Sequence, residues 1–543
     1  MTVSQDQRST DRSGTEPDAI VIGAGFSGMY MLHRLRALGL STVVLEAAEG
    51  VGGTWYWNRY PGARCDSESY YYSYSFSDEL QQDWVWTERY PEQPEILRYL
   101  NHVADRFDLR RDIRFGTTVT RARFDETTDR WRLDSASGET WTARYLITAV
   151  GCLSAANIPR IPGLDTFEGQ WFHTGRWPHE GVDFAGKRVG VVGTGSTGIQ
   201  AIPVIAEQAA HLTVFQRTAN YSVPARNGPL EDAALREIKA DYPEIRRTQR
   251  ASTNGHPFLI SERSALEVSP QRRREIYESA WKVGGLRFRA CFQDLLTDKA
   301  ANDTASDFIR SKIRETVRDP DTAATLTPTD HPFATKRPPI DTHYFETYNR
   351  DNVSLVDVRR TPIEEITPRG VRTGQDVHEL DCLVFATGFD ALTGPLLGID
   401  IRGTGGRSLG EKWAEGPKTY LGLQVAGFPN MFTITGPGSP SVLTNMPTAI
   451  EQHVDWIART IDHMRGHRLV RMEASEQAEA EWGEHVNEVA NRTLLPMASS
   501  SWYLGANVPG KPRIFMPYAG GFAYYAGRCD EVADAGYPGF AFA

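Results

Sequence analysis

Two short glycine-rich segments are the first places in this sequence where residue type and spacing indicate chemistry. Residues 23–28 (GAGFSG) and residues 193–198 (GTGSTG) both match G-x-G-x-x-G, and each follows an apolar segment and opens a helical one. The motif requires that context. Its glycines let the backbone approach a pyrophosphate closely, and the N-terminus of the following helix offers unpaired N–H groups. These segments predict two dinucleotide sites; the alternative is a tight strand-to-helix turn that binds nothing.

The residue at the end of the second strand of each unit indicates which dinucleotide binds. Glu46 ends the first unit, and its carboxylate can accept hydrogen bonds from the ribose hydroxyls of FAD or NAD. Arg217 stands at the corresponding place in the second unit. An acid there would repel a 2′-phosphate, whereas an arginine binds one. The second site is therefore expected to prefer NADPH, with a solvated strand-end charge as the other interpretation of Arg217. Because the chain carries two dinucleotide folds and the first is near the N-terminus, we expect FAD at the first site.

The two turns are expected to lie in two copies of one plan, with strand, turn, helix and strand over residues 18–46 and again over residues 187–217. Between the second copy and the later strands, the chain is rich in charged residues and alanine and poor in strand signal. It is predicted to be helical there. Ile309, Ile313 and Val317 are four apart on one helical face, and Pro320 marks the expected end of that helix.

The rest of the chain is expected to return to the same sheets. Residues 353–358 and 380–386 have the character of strands, residues 450–490 are helical, and the last fifty residues are Gly- and aromatic-rich loops. This organisation predicts an α/β fold with two Rossmann-like dinucleotide-binding domains and a helical insertion. The predicted parts are an FAD-binding domain (1–152 and 386–543), an NADPH-binding domain (153–224 and 331–385) and the helical insertion (225–330).

Composition narrows the class of protein. The chain has 543 residues and a formal net charge of −10, which suits two to four domains and argues against binding of nucleic acid. No run of about eighteen apolar residues is present, so no membrane span is expected, and the first sixteen or so residues are typical of a disordered tail. The five cysteines form no C-x-x-C or C-x4-C pair. That spacing predicts no metal site and no redox dithiol, and it favours a reducing cytoplasm.

Two longer patterns carry a resemblance to a known family. Residues 53–66 match G-x-W-x4-Y-P-G-x3-D, and residues 167–178 match F-x-G-x-x-x-H-x-x-x-W-P through Phe167, Gly169, His173 and Trp177. The sequence thereby resembles the type I Baeyer–Villiger monooxygenases over nearly its whole length. Within that family it is most similar to the phenylacetone and steroid monooxygenase branch, on residues 335–337 (TKR), 436–441 (GPGSPS) and 502–511 (WYLGANVPGK).

The resemblance implies a reaction. In this family NADPH reduces FAD, molecular oxygen adds to the reduced flavin at C4a, and the peroxyflavin attacks a ketone carbonyl. The tetrahedral adduct rearranges to an ester or lactone while the oxidised nicotinamide stays bound. The expected partners are a ketone substrate and oxygen, with no nucleic acid and no membrane, and we expect a monomeric, cytoplasmic enzyme.

By resemblance, the catalytic residues are Arg337 and Asp66. A peroxide anion needs a fixed positive charge that does not act as an acid, and arginine keeps its proton in proteins. The same guanidinium can stabilise the oxyanion that forms at the former carbonyl. Asp66 would accept hydrogen bonds from Arg337 and hold it in place. Taken alone, Arg337 would be a surface charge in a Lys-Arg-Pro-Pro turn, and Asp66 would be a turn or cap residue.

The other functional positions come from the motifs and the resemblance. His173 and Trp177 are expected to order a linker between domains, with direct proton transfer as the alternative for His173. Trp55 is expected beside the nicotinamide, and Trp502 on a mobile loop that closes the site. The expected cofactor-binding residues are Gly23, Gly25, Phe26, Ser27, Gly28, Glu46, Gly53, Thr54, Trp55, Asp66, Tyr72, Gly193, Thr194, Gly195, Ser196, Gly198, Arg217, Thr218, Lys336, Arg337 and Trp502.

The substrate pocket is expected at Cys152, Val442, Leu443 and Met446. Cys152, Ser67 and the pair Pro338-Pro339 depart from the pattern of the phenylacetone enzyme, so the sequence leaves the identity of the ketone open.

Two other functions share parts of this pattern. A flavin-containing N- or S-oxygenase has the same two nucleotide folds, but its linker motif lacks the Trp177-Pro178 ending and it needs no pair of Asp66 and Arg337. A non-catalytic redox sensor would bind both cofactors and would oxidise NADPH no faster when a ketone is added.

Overall fold

Two five-stranded sheets organise the chain in the computed structural model, which describes residues 16–543. The predicted disordered tail lies almost entirely outside these residues. Neighbouring strands are parallel throughout both sheets. The strand order is Met431–Thr433, Tyr145–Thr148, Ala19–Ile22, Thr42–Leu45, Ile113–Arg114 in the first sheet, and Val353–Asp357, His211–Gln216, Arg188–Val192, Cys382–Phe385, Gln170–His173 in the second.

Each sheet contains one of the predicted strand–turn–helix–strand units. In the first unit the helix Phe26–Ala37 connects Ala19–Ile22 with Thr42–Leu45, and in the second the helix Ser196–Gln208 connects the strands Arg188–Val192 and His211–Gln216. The first strand of each unit is largely apolar, because helices cover both faces of a parallel sheet and leave its central strands little contact with water. The predicted α/β fold with two Rossmann-like units is confirmed, and the predicted element bounds agree to within a few residues.

The remaining strands form smaller parallel, antiparallel or mixed sheets around this frame. They are Asp400–Arg402, Val119–Asp125, Arg130–Ser135 and Thr140–Ala143 in one sheet, Ile363–Thr367, Gly370–Thr373 and Asp376–Glu379 in another, and the pairs Val223–Pro224 with Ile340–Asp341 and Met472–Ala474 with Phe540–Phe542. The helices outside the two units and the insertion are Thr54–Trp57, Asp78–Asp83, Gln93–Arg106, Tyr344–Thr347, Gly394–Leu397, Leu409–Lys412, Met446–Gly466, Glu476–Asn491 and Phe522–Asp534.

The region predicted as an insertion is helical. Its helices are Asp232–Ala251, Pro270–Val283, Lys299–Thr316 and Pro320–Leu326. The predicted role of Pro320 is wrong, because Lys299–Thr316 has already ended and Pro320 is the first residue of the next helix. A proline suits that position, since the first N–H group of a helix has no partner within the helix.

The prediction that the last fifty residues form only loops is also wrong. Phe522–Asp534 is a helix whose buried face carries Phe522, Tyr525 and Cys529 at helical spacing. It packs on the helix Met446–Gly466, where the indole N–H of Trp456 donates to the Cys529 carbonyl oxygen at 2.9 Å. The flanking glycines obscure this face in the sequence. Within residues 16–543, no helix combines the length and apolar character needed to cross a membrane.

Candidate active site

The two glycine turns have the same backbone shape. Gly23 and Gly193 have φ values of +104° and +109°, in the left-handed region that favours glycine. A Cβ on Gly28 would lie 1.7 Å from the Gly23 carbonyl oxygen, and a Cβ on Gly198 would lie 2.2 Å from the Gly193 carbonyl oxygen. The first and third glycines therefore allow each strand to turn tightly into its helix.

The helix that follows each turn begins without an internal cap. Gly25 and Gly195 are the N-caps, and neither helix has a side-chain cap or an acidic residue in its first turn. Among the described residues, no heavy atom lies within 4 Å of where a Cβ on Gly195 would be. The first N–H groups and the positive end of each helix dipole are thus left for an external anion. Both turns fit a dinucleotide pyrophosphate.

Glu46 lies at the end of the second strand of the first unit and is 5% exposed. Its carboxylate accepts hydrogen bonds from the backbone N–H groups of Ala24, at 2.6 Å, and Ala48, at 2.8 Å. Burial raises the pKa of Glu46, and these hydrogen bonds oppose that change. Each carboxylate oxygen retains a second acceptor position. Glu46 can therefore still accept a hydrogen bond from a ribose hydroxyl beside the first turn.

Positive side chains gather beside the second turn. Arg217 is exposed at the end of the second strand, and the Thr194 hydroxyl donates to the Thr218 carbonyl oxygen at 3.0 Å, which ties the turn to that strand end. Burial lowers the pKa of Lys336; the charge of Asp330 opposes this, and the charge of Arg217 adds to it. Lys336 thus lies within the electrostatic field of Arg217, an arrangement that suits the 2′-phosphate of NADPH.

The Y-P-G-x3-D element, which follows the first unit in the chain, packs on the helix of the second unit. The Tyr60 hydroxyl donates to the Gln200 side-chain oxygen at 2.8 Å, and the Gln200 amide donates to the Arg64 carbonyl oxygen at 3.1 Å. Gly62 has a φ of +79°, and a Cβ there would lie 2.4 Å from the Gln200 carbonyl oxygen. This close approach brings Asp66, four residues later, to the junction between the two units.

Arg337 meets Asp66 at this junction, although 271 positions separate them in the chain. Its Nε donates to Oδ2 of Asp66 at 2.5 Å, and its Nη2 donates to Oδ1 at 2.8 Å, which makes a bidentate ion pair. Nη1 donates to the Val442 carbonyl oxygen at 2.6 Å. A guanidinium has five N–H groups, so two remain available for a ligand.

The ion pair is partly withdrawn from water, with the side chains of Arg337 and Asp66 24% and 20% exposed. Burial alone would raise the pKa of Asp66, but the charge and hydrogen bonds of Arg337 outweigh it, and the pKa is lowered. Burial would likewise lower the pKa of Arg337, but Asp66 outweighs it, and that pKa is raised. Both groups therefore stay ionised, and Arg337 is a fixed positive charge.

A cavity of about 260 Å³ opens beside Arg337. Its wall combines residues of the helical insertion, which include His256, Phe258, Leu286 and Arg289, with Pro338, Val442, Leu443 and Tyr503. Of the predicted pocket residues, Val442 and Leu443 line this cavity. Cys152 and Met446 do not; they pack behind it, in an apolar cluster that also contains Val442 and Tyr503. The cavity is of a size that suits a small organic molecule.

The G-x-W element lies against the first glycine turn. Gly53 has a φ of +53°, and a Cβ there would lie 2.9 Å from the Cα of Gly25. Thr54 begins the short helix that carries Trp55, whose indole N–H donates to the Tyr72 hydroxyl at 3.2 Å. Trp55 is buried. These contacts hold an aromatic wall next to the turn that we expect to bind FAD.

The F-x-G-x-x-x-H-x-x-x-W-P segment forms the edge strand Gln170–His173 of the second sheet and the turn after it. The Nδ1 atom of His173 accepts a hydrogen bond from the Gly175 N–H group at 3.0 Å. Burial, together with the charge of Arg176, lowers the pKa of His173 to about 4. His173 is therefore neutral near pH 7. It does not line the cavity beside Arg337, and this favours the predicted ordering role over proton transfer.

The rest of this segment also packs within the second unit. Trp177 is buried in the apolar core of that unit, and Phe167 packs against a second apolar cluster there. A Cβ on Gly169 would lie 2.5 Å from the Asp381 carbonyl oxygen. Gly169 thus allows the edge strand to approach Cys382–Phe385, with which it pairs.

Most cavity residues were not anticipated from the sequence, and the polar ones among them include His256, Arg289 and Tyr503. His256 and Arg289 belong to the helical insertion, which carries no recognisable motif. Tyr503 follows Trp502 in a short 3₁₀ turn, with the two ring centres 4.6 Å apart. The position of Tyr503 next to a predicted site residue was the one available signal.

These features define a class of protein. Two uncapped glycine turns belong to two separate parallel sheets. Where the two units meet, Asp66 holds a permanently charged arginine, Arg337, at the wall of a small cavity. That combination is typical of a flavin-dependent oxygenase with two dinucleotide sites.

Comparison with known proteins defines the family. A family model described as flavin-binding monooxygenase-like matches residues 18–226. A Baeyer–Villiger monooxygenase from Pseudooceanicola batsensis is 47% identical, over 97% of this chain and 96% of that protein. A phenazine N-monooxygenase from Lysobacter antibioticus is 47% identical over 98% of both chains. A solved structure of oxidized steroid monooxygenase bound to NADP is 55% identical, covers 97% of this chain and 99% of its own, and has a TM-score of 0.93. The chain belongs to the Baeyer–Villiger monooxygenase family.

Proposed function

We propose that this protein converts ketones to esters or lactones with NADPH and molecular oxygen, using bound FAD. The observation that carries the proposal is Arg337, an ionised guanidinium that Asp66 and the Val442 carbonyl group hold at the wall of a small cavity. When bound, FAD and NADPH supply the electrons and activate the oxygen. The residues of the chain must bind and orient the ketone and stabilise the charge that develops on it.

Arg337 is suited to that charge. Attack on a ketone places negative charge on the carbonyl oxygen, and the two unused N–H groups of Arg337 are available to it. Donors that interact more strongly with this charge than with the neutral ketone lower the barrier. Because the pKa of Arg337 is raised, the guanidinium donates hydrogen bonds without giving up a proton. Asp66 acts through Arg337 as a positioning residue.

The cofactor positions are part of the same proposal. The turn of Gly23 to Gly28 and Glu46 would hold FAD, and the turn of Gly193 to Gly198 with Arg217 and Lys336 would hold NADPH. The uncapped helix N-termini and the charges around Lys336 support this arrangement.

Product analysis with a panel of ketones tests the function. The purified protein should be yellow, and denaturation should release its flavin. A ketone should accelerate NADPH oxidation and yield one ester or lactone per NADPH, with one ¹⁸O atom incorporated from ¹⁸O₂. A colourless protein that takes up no FAD, or NADPH oxidation without ester from any ketone, would contradict the proposal.

N-oxygenation of a heteroaromatic ring is the second candidate, because a relative as similar as the Baeyer–Villiger enzyme is a phenazine N-monooxygenase. The nitrogen of such a substrate is itself the nucleophile, so no oxyanion forms on the substrate and Arg337 would have less to stabilise. Cyclohexanone and phenazine should be compared under identical conditions. An N-oxide product in the absence of any lactone would favour this second function.

We further propose that the enzyme is a cytoplasmic monomer with the domain boundaries expected from the sequence. The absence of any C-x-x-C spacing supports a reducing compartment. The boundaries near 152 and 386 are supported by the two glycine turns, because each turn packs closely on the chain at or just before one boundary. A Cβ on Gly23 would lie 2.5 Å from the Ala149 carbonyl oxygen, and a Cβ on Gly193 would lie 2.5 Å from the Ala386 carbonyl oxygen. Light scattering tests the oligomeric state, and limited proteolysis tests the boundaries.

A further inference from the structure

Arg289 lines the cavity beside Arg337 and has no partner of its own. It lies in the 3₁₀ segment Gly285–Ala290 of the helical insertion. Within residues 16–543, its guanidinium forms no hydrogen bond, no ion pair and no cation–π contact. Arg287, two residues earlier, differs in this respect: it lies 3.6 Å from a carboxylate oxygen of Glu68 and 4.8 Å from the ring centre of Phe258.

Another arginine, Arg246, shows how this protein satisfies a guanidinium that is withdrawn from water. Burial lowers the pKa of both Arg246 and Arg289. Arg246 donates hydrogen bonds to the side chains of Gln81, Ser73 and Gln249 and to three backbone carbonyl groups. Arg289 has no comparable acceptors. Arg289 is half-buried, and a cation partly withdrawn from water gains from a paired acceptor, which the described chain does not supply to it.

One positive charge at the cavity wall lacks a paired counter-charge. Arg289 and Arg337 both line the wall, and both hydrogen-bonding oxygens of Asp66 are engaged by Arg337. Glu262 also lines the cavity, but it is exposed and does not pair with Arg289. Burial and the two arginines lower the pKa of His256 to about 3, so His256 is neutral. Two arginines and two carboxylates balance in number, but Asp66 is committed to Arg337 and Glu262 is exposed. The charge without a paired partner at the cavity wall is the Arg289 guanidinium, which is complementary to an anion.

We propose that Arg289 binds a carboxylate on the substrate, so that the ketones this enzyme selects are keto acids. The inference rests on the proposed function and adds the class of substrate. The planar guanidinium of Arg289 matches a carboxylate in geometry and charge. Phe258, Leu286 and Leu443 line the same cavity and supply apolar surface for the carbon skeleton. Arg337 faces the carbonyl group of the same molecule.

The phosphates of NADPH are the competing anion. Arg217 and Lys336, beside the second glycine turn, already provide positive charge for the 2′-phosphate. Arg289 instead lines the cavity with Val442, Leu443 and Tyr503. That location favours the substrate over the dinucleotide, and the experiment below separates the two.

The test compares 4-oxocyclohexanecarboxylate with its methyl ester, which differ mainly in charge. kcat/KM for lactone formation is measured for the wild-type enzyme and for Arg289→Leu, Arg289→Gln and Arg289→Lys. Arg287→Leu is the matched control, since it removes a positive charge from the same segment that is already paired. Flavin absorbance and the melting temperature report whether each variant folds.

The wild-type enzyme should prefer the acid by roughly tenfold or more, and Arg289→Leu and Arg289→Gln should abolish most of that preference. Arg289→Lys should keep part of it, and Arg287→Leu should keep all of it. An acid-to-ester ratio that is the same in wild type and the Leu or Gln variant would overturn the inference. A raised KM for NADPH at an unchanged ratio would overturn it too, and would assign Arg289 to the dinucleotide.

The failure of the inference and the failure of the proposed function give different results. If the methyl ester and cyclohexanone are converted but the acid is not preferred, only the keto-acid inference is wrong. If the wild-type enzyme forms lactone from none of the three ketones, the proposed function is wrong and the inference falls with it. If Arg289→Leu does not fold, the ratios of the wild type, Arg289→Gln and Arg289→Lys decide.

Discussion

Replacing Arg337 with alanine should remove ketone oxygenation while FAD stays bound. In the structure, three of the five guanidinium N–H groups hold the side chain in place, through Asp66 and the Val442 carbonyl oxygen. The other two N–H groups are free to stabilise the oxyanion. FAD affinity is expected to come mainly from the first glycine turn and Glu46, which Arg337 does not contact. The substitution therefore separates cofactor binding from the chemical step.

The size of the effect follows from those donors. Removing one donor to a developing oxyanion in a dry site lowers the rate about a hundred- to a thousandfold. Arg337 is 24% exposed, and water screens part of its charge, so we expect a loss within that range rather than above it. Arg337→Lys should rescue little, because one ammonium nitrogen cannot span both Asp66 oxygens and the Val442 carbonyl group. Asp66→Ala should be milder, since it loosens the arginine without deleting it.

The assay is ester formed per NADPH consumed, measured together with the flavin absorbance spectrum. Arg337→Ala leaves the Asp66 carboxylate without its partner, so a loss of folding could imitate a loss of catalysis. The double variant Arg337→Ala with Asp66→Ala removes that unpaired charge and should recover the melting temperature without recovering ester formation. A near-normal ester yield from the flavin-loaded Arg337→Ala variant would refute the role assigned to this residue.

Three further predictions concern the second nucleotide site and stability. Arg217→Ala should weaken NADPH roughly ten- to a hundredfold relative to NADH, because a hydrogen bond to a charged group contributes about 1.5–3 kcal/mol; an unchanged ratio of the two KM values would count against it. Gly195→Ala should fold normally, since a Cβ there meets no described atom within 4 Å, but it should raise the KM for NADPH because the methyl group occupies the space expected for the pyrophosphate. Gly198→Ala should instead lower the melting temperature, because its Cβ would lie 2.2 Å from the Gly193 carbonyl oxygen. The free energy of unfolding should fall as the pH drops below about 6.5. Burial lowers the pKa of His453 to about 3 in the folded protein, and its Nδ1 accepts a hydrogen bond from the Thr435 N–H group only while unprotonated. Below about pH 6.5 the histidine is therefore protonated in the unfolded chain but not in the folded one, which favours unfolding. Urea denaturation at several pH values tests this, and His453→Gln should show a shallower pH dependence.

The sequence by itself determined the features that depend on neighbouring residues. Each glycine turn could be recognised because the residues that shape it lie within six positions of one another, between a strand and a helix that the local pattern also predicts. Glu46 and Arg217 could be compared because both occupy the end of the second strand in equivalent units. The long spaced motifs pointed to the family for the same reason, since each is contained within fourteen or fewer consecutive residues.

The tertiary structure decided what distant residues do together. Nothing local marks Arg337 as a partner of Asp66; the contact exists because Gly62 lets its segment pack on the helix that carries Gln200. The terminal helix Phe522–Asp534 likewise depends on a long-range contact with Met446–Gly466, which no local pattern reports. Arg289 acquires its place in the cavity only when the insertion folds over Val442 and Leu443, because partial burial and the absence of a partner are properties of the packed molecule and not of the residue type.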